Sequence, residues 1–158
     1  LIFLSENKKN MIQRIQTIFL LLAAGLLGAL LAIPFLSVGA EAEYAAASVL
    51  GDQVFNVQDH IALLVLFLLA AGISLISIFL FKKRPLQMSF TLVGLLMNIA
   101  GIGFATYLLY QSGAFEKGGL QVQAGIAFPI LAIIFLLLAH RNIKKDEQTV
   151  KSSYSRLR

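Results

Sequence analysis

Two histidines and eight carboxylates, together with one asparagine set inside an apolar run, are the residues with chemistry to offer. Their placement argues against a reaction. His60 opens the second of four apolar runs and His140 closes the fourth, so a bundle of spanning helices holds them about 30 Å apart across the bilayer core. A bis-histidine haem site within one chain is excluded, and both read as interfacial anchors. No Asp, Glu, Lys, Arg or His lies deep in any run, although ionisable groups at such depth are the usual mark of proton relays and ion pathways. A proton-coupled exporter of this size would need a buried carboxylate, and none is placed for it. Cysteine is absent, which removes disulfides, thiolate metal sites and cysteine nucleophiles. Phosphate-cradling glycine loops, the HExxH zinc pattern, the GxSxG elbow and DNA-binding motifs are missing as well. The expectation is a non-enzyme with no cofactor.

Asn98, near the middle of the third run, is the strongest polar signal at membrane depth. A side-chain hydrogen bond between helices there is worth about 0.6–2 kcal/mol. Gly94 and Asn98 share a helix face at i, i+4, as do Gly101 and Ala105; Gly25 with Ala29 and Ala70 with Ser74 repeat the small-residue spacing. Small residues let backbones approach, so these positions are read as helix packing, with a ligand or ion pathway as the alternative. Pro34 and Pro129 are expected to kink the outer halves of the first and last spans.

The elements that carry these residues follow from composition. Charged residues make up 13% of the 158 and hydrophobic ones 58%, whereas about a quarter of an ordinary soluble domain is charged. A spanning helix needs roughly 20 mostly apolar residues, since the hydrocarbon core is about 30 Å thick and a helix rises about 1.5 Å per residue. Four windows qualify, at about 17–36, 61–81, 86–110 and 122–140. They lack the alternation of a barrel strand, so the fold is all-α: a polytopic membrane protein of two helical hairpins. Windows two and three are parted only by Lys82, Lys83, Arg84 and Pro85. Burying three cations at mid-bilayer would cost roughly 9 kcal/mol, and proline breaks the hydrogen-bond ladder, so the chain turns there.

Charge sets the direction. Lys8, Lys9 and Arg14 precede the first run, Lys82 to Arg84 fill the second connection, and Arg141, Lys144, Lys145, Lys151, Arg156 and Arg158 follow the fourth. With four crossings all three groups share one side, opposite Glu41, Glu43, Asp52, Asp59 and Glu116. The positive-inside rule makes the basic side cytoplasmic, with both termini inside. The net charge of +5 is not arranged as a stripe, so nucleic acid is not an expected partner. A cleaved signal peptide ending near Ala40 is the rival reading, but the apolar run exceeds the usual 7–15-residue core.

The transmembrane domain is thus assigned to residues 11–139, with a periplasmic loop at 37–60 and a basic cytoplasmic tail at 141–158. Met11 resembles a natural beginning, and residues 1–10 are expected to be a disordered upstream extension. The periplasmic loop is expected as coil packed on the helix ends; a hairpin turning at Gly51-Asp52 is the alternative. Residues 111–123, with Gly113, Gly118 and Gly119, read as a flexible connection. In the tail, Ile143, Val150, Tyr154 and Leu157 fall on one helical face with lysines mostly elsewhere, the pattern of an amphipathic helix resting on anionic headgroups. Docking on a partner and a frayed tail are its alternatives.

The two ends also carry a resemblance. Met11-Ile12-Gln13-Arg14-Ile15-Gln16-Thr17 before an apolar run, and Lys144-Lys145-Asp146-Glu147 followed by Val150-Lys151-Ser152 and Arg156-Leu157-Arg158, resemble the ends of the family called domain of unknown function 4293. Ser155 stands where the resemblance leads one to expect an acidic residue. The likeness covers 11–158 and implies a four-span protein of the inner membrane, typical of Bacteroidetes, with no activity to carry over. Both motifs fall on the cytoplasmic face. Arg14, Gln16, Lys144, Lys145, Asp146, Glu147, Arg156 and Arg158 are therefore the candidate interaction residues. The functional expectation is a scaffold or accessory subunit of a membrane complex, its partners being membrane lipids and other membrane proteins or further copies of itself. A small transporter, or a lipid- or quinone-binding protein working through the groove around Asn98, is the alternative.

Overall fold

The structure is a computed structural model; it describes residues 2–39 and 49–155, and side chains for 14–39 and 49–148. Four long helices account for most of it: α1 (Ile2–Ala29), α2 (Ile61–Phe79), α3 (Arg84–Gln111) and α5 (Ala127–Ser155), with the one-turn α4 (Ala114–Lys117) between the last two. Each long helix packs on two others, α1 on α2 and α5, and α3 on α2 and α5, which closes a four-membered ring. Neighbours run antiparallel. Gly94 and Gly101 of α3 lie against Ser74 and Phe67 of α2, and Asn98 and Arg84 meet Pro129 and Asp146 of α5.

The inward faces recur about every half-heptad. On α5 the buried positions are Pro129, Ala132, Leu136, Ala139, Ile143 and Asp146, alternating steps of three and four that keep one seam toward the bundle. On α1 they are Leu20, Ala23, Leu27 and Leu30, and on α2 Leu63, Phe67, Ala70, Ser74 and Ser77. The outward faces are equally apolar: Leu21, Leu68, Ile76, Leu96, Ile99, Ile134 and Leu137 are all exposed. A helix that is hydrophobic all round is built for a membrane or a deep core, and here the four helices themselves enclose the core. Three are long and apolar enough to cross a bilayer, Ile61–Lys82, Arg84–Gln111 and Ala124–Gln148, of 22, 28 and 25 residues. The apolar part described for α1, Arg14–Ala29, is shorter.

The fold is mostly helical, as expected, but four finer expectations are corrected. First, the two loops on one side of the bundle carry short strands: β1 (Leu36–Val38) pairs antiparallel with β2 (Val54–Phe55) on one edge and β3 (Leu120–Val122) on the other. The connections expected as coil and as a flexible link thus make a small sheet across one end of the bundle. The Gly51-Asp52 turn exists, but the strand after it pairs with β1 rather than with the residues before the turn. Helix ends leave backbone groups without partners, and at the end of α1 the following turn meets two of them, Leu31 N–H donating to the Gly28 carbonyl and Ile33 N–H to that of Ala29, both at 3.1 Å. Beside the ladder, Gln123 N–H donates to the Phe35 carbonyl at 3.0 Å and Gly39 N–H to that of Gly119 at 3.0 Å. Leu50, Phe55 and Val57, all buried, plug the bundle beneath, with Phe55 and Phe67 flanking the Phe35 ring at 5.5 and 5.8 Å.

Second, neither proline kinks a helix. α1 stops at Ala29, so Pro34 lies beyond it, and Pro129 sits in the first turn of α5, where a missing N–H costs nothing. Third, residues 2–10, expected to be disordered, are helical and continuous with α1. Fourth, the tail is no separate surface helix. α5 runs unbroken to Ser155, and Ile143, the one member of the sequence stripe whose side chain is described, is buried with Asp146 in the seam that packs the span. The side chains of Val150, Lys151 and Tyr154, and all of Arg156, Leu157 and Arg158, lie outside the described residues.

At the sheet end, His60 caps α2 by accepting from the Ala62 N–H at 3.2 Å, and its ring stands edge-on to Phe104 at 5.0 Å. Asp59 accepts from the Asn56 N–H at 2.6 Å. Burial raises its carboxyl above the usual range; that hydrogen bond opposes the shift and Asp52 adds to it.

Candidate functional site

Three places gather side chains with something to do: the basic end of the bundle, the mid-bundle asparagine, and an apolar cavity under the sheet.

At the basic end, the chain leaves α2 through a single 3-10 turn (Leu80–Lys82) and starts α3 at Arg84, with Pro85 in the first turn where it fits. Arg84 reaches across to α5. Its Nη2 stands 3.0 Å from Asp146 Oδ2, and its Nη1 donates to the Asp146 carbonyl at 3.4 Å. Asp146 is only 3% exposed and Arg84 20%, so this charge-assisted pair is largely withdrawn from water. Around it Arg14, Lys82, Lys83, Arg141, Lys144 and Lys145 are exposed. The structure thus divides the residues expected to interact. Arg14, Lys144 and Lys145 face outward and Glu147 is half-buried, whereas Gln16 and Asp146 are interior.

A polar layer lies one to two turns deeper. The Phe19 and Phe135 rings, 6.0 Å apart, set the register of α1 against α5. From there, three residues back on α1 is Gln16 and five forward on α5 is His140. On the other pair Ser74 faces Gly94, so Ser77 sits about a turn nearer the basic end, at the level of Thr91 and Gln87. Four helices therefore bring amides, hydroxyls and an imidazole to one depth. Thr91 Oγ1 satisfies itself on the Gln87 carbonyl at 2.8 Å. Gln16 Nε2, Ser77 Oγ and His140 Nδ1 are buried without a partner among the described residues. The sequence reading missed Ser77 and Gln87, and placed Gln16 on a surface. The seven-residue spacings Leu63–Ala70–Ser77 and Gln87–Gly94–Gly101 were the signal available for both.

Asn98 is fully buried on α3 and donates from Nδ2 to the Pro129 carbonyl of α5 at 3.0 Å; its Oδ1 has no partner among the described residues. Gly94 and Gly101 flank it toward α2. A Cβ on Gly94 would come within 3.3 Å of Ser74 Oγ, and one on Gly101 within 2.9 Å of the Phe67 ring. Ala105 continues this buried face. The α1 pair is different: Gly25 is exposed, and a Cβ added there meets nothing within 4 Å. Gly25 thus lies off the inward seam of α1, which runs through Ala23 and Leu27, and Ala29 is half-buried. Asn98→Ala gives up one interhelical bond and one orphaned acceptor together, so it is expected to cost about 1 kcal/mol. Thermal unfolding in mild detergent reads this, and a loss several times larger would mean a wider polar network.

Under the sheet, a cavity of about 220 Å³ lies between α3 and α5. Phe67 forms its floor, Phe35 and Phe55 its roof, and Ala105 and Pro129 its walls. Thr106 and Ile130, both exposed, flank its mouth. Among the described residues no three of His, Asp and Glu gather closely enough to hold a metal ion.

A closed ring of apolar helices with apolar side chains outward defines a helical membrane protein. Within that class, the family model for the domain of unknown function DUF4293 matches residues 12–157, and the chain belongs to that family. No curated protein and no solved structure matches it.

Proposed function

We propose that the chain crosses a bacterial inner membrane four times, with both ends cytoplasmic, and serves as a non-enzymatic scaffold or accessory subunit of a larger membrane complex. α1 supports a fourth crossing: its mostly apolar 16-residue stretch Arg14–Ala29 covers about 24 Å, and the apolar turns that follow, through Phe35 and Leu36, add the remainder. The positive-inside rule assigns the basic end to the cytoplasm.

The observation that carries the reading is the Arg84–Asp146 pair. It ties the only short connection between spans to the last helix as that helix leaves the bundle. Exposed cations from three separate parts of the sequence are thereby held on one ordered face, a platform for an acidic segment of a neighbouring protein or of a second copy. Among the described residues the spans beneath it hold hydrogen-bonding groups but no Asp, Glu, Lys or Arg at mid-bundle depth, which favours assembly over chemistry.

Neutralising the exposed Arg141 and Lys144 to glutamine leaves Lys82, Lys83 and Arg84 to hold the topology. Cross-linking in native membranes followed by mass spectrometry is expected to recover a defined partner with the wild-type chain, and several-fold less with the double variant. A partner-free monomer from cross-linked wild-type membranes would overturn the proposal.

A further inference from the structure

The cavity under the sheet opens sideways, and its geometry points to a ligand: one acyl chain of a phospholipid from the leaflet at the sheet end. This inference rests on the helices spanning a membrane but not on the basic platform.

Depth is the first argument. On α3 the cavity runs from Ile102 to Leu109, nine and two residues before the last residue of that helix, Gln111. At about 1.5 Å per residue this is some 3–14 Å below the helix end, the hydrocarbon half of one leaflet. Access is the second. The aqueous side is closed by Phe35, Leu36 and Phe55, all buried and held by the strand pairing, whereas the mouth lies between exposed Thr106 and Ile130. The surface beyond the mouth is apolar, with Ile99 and Ile134 exposed on the same two helices. What meets the opening is therefore lipid tail, not water.

The lining is the third. Its one side-chain polar group, the Thr106 hydroxyl, sits on an exposed residue and donates to the Ile102 carbonyl at 2.9 Å, which leaves only its acceptor lone pairs. A headgroup, sugar or quinone carbonyl would find no side-chain donor in the lining, so the walls suit a plain hydrocarbon chain. The fourth is that the space is built. Gly101 lets the Phe67 ring lie against the α3 backbone, and Ala105 leaves the wall open one turn on. A larger residue at 105 would fill the space, and one at 101 would push the Phe67 ring off α3. Left empty, an apolar volume of this size forfeits packing on every wall, and a chain from the adjacent leaflet restores it.

The full chain, reconstituted in nanodiscs of phosphatidylethanolamine carrying a mid-chain diazirine, tests this by illumination and peptide mapping. Label is expected to concentrate on residues 102–109 and 126–130, several-fold above Leu21 and Ile76, which are as exposed to lipid elsewhere on the bundle. Ala105→Phe, which fills the cavity, is expected to bring that labelling down to the level of the other faces. Ile130→Trp at the mouth does the same without touching the floor, and keeps the test alive if the first variant misfolds. Uniform labelling around the bundle overturns the inference, as does cavity labelling that both variants leave unchanged. So does label displaced by an isoprenoid quinone but not by unlabelled phospholipid. Both substitutions leave the basic end intact, so the platform stands or falls separately through its own cross-linking.

Discussion

Gly125→Ala is expected to destabilise the protein by about 3 kcal/mol, as severe overpacking does. Gly125 begins the last span in the 3-10 turn ahead of α5, and its N–H donates to the Pro34 carbonyl at 3.1 Å. A methyl group there would collide with that carbonyl and lie 2.9 Å from the oxygen of Ile33. The obstacle is backbone on both sides, so no rotamer change relieves it. Either the bond between the end of α1 and the start of α5 breaks, or β1 and β3 shift out of register. Gly72→Ala supplies the control, since a Cβ at that position meets nothing within 4 Å and alanine is the better helix former. Thermal unfolding in mild detergent should show a large drop for the first and none for the second. Equal stability of the two variants would mean that the contact is not maintained.

The second large effect is expected at Asp146. Removing its carboxylate leaves the Arg84 guanidinium mostly buried without a counter-charge, and breaking such a pair costs about 3–5 kcal/mol when both partners are well buried. Arg84 keeps some contact with water, so about 2–4 kcal/mol is the expectation for Asp146→Ala. The double variant Arg84→Met with Asp146→Leu removes both charges and keeps much of the volume. It should recover most of the loss in the same unfolding measurement, while Lys82 and Lys83 keep the turn basic. A single variant as stable as the wild type would show the pair to be incidental, and a double variant no better than the single would point to packing rather than charge.

These two sites differ in how far the sequence announces them. The second and third spans were expected at 61–81 and 86–110 and stand at Ile61–Phe79 and Arg84–Gln111, because apolar length and the cost of Lys82, Lys83 and Arg84 in lipid are settled locally. The sheet is not local. Ser37 pairs with Gln121 across most of the chain, through strands of two or three residues too short to show a period. Both prolines were visible, but whether a proline kinks a helix or bounds it depends on where the helix ends. Asn98 stood out because an amide is rare in an apolar run. Asp146 was one of several charges in a basic tail, and its partner lies 62 residues away. Gly25 and Gly101 look alike in the sequence; only the positions of the neighbouring helices send one outward and the other against Phe67. The cavity escaped notice for a related reason, since Gly101 and Ala105 were read for the contact they permit and not for the space they leave.

The strand order has a consequence for biogenesis. β1 is the central strand, and its two neighbours emerge from the ribosome at very different times. β2 arrives soon after it, with the first helical pair; β3 comes only after two further helices have been threaded. One flank of β1 therefore waits, its peptide groups unmatched, until α2 and α3 have been laid down and β3 returns to the same end of the bundle ahead of α5.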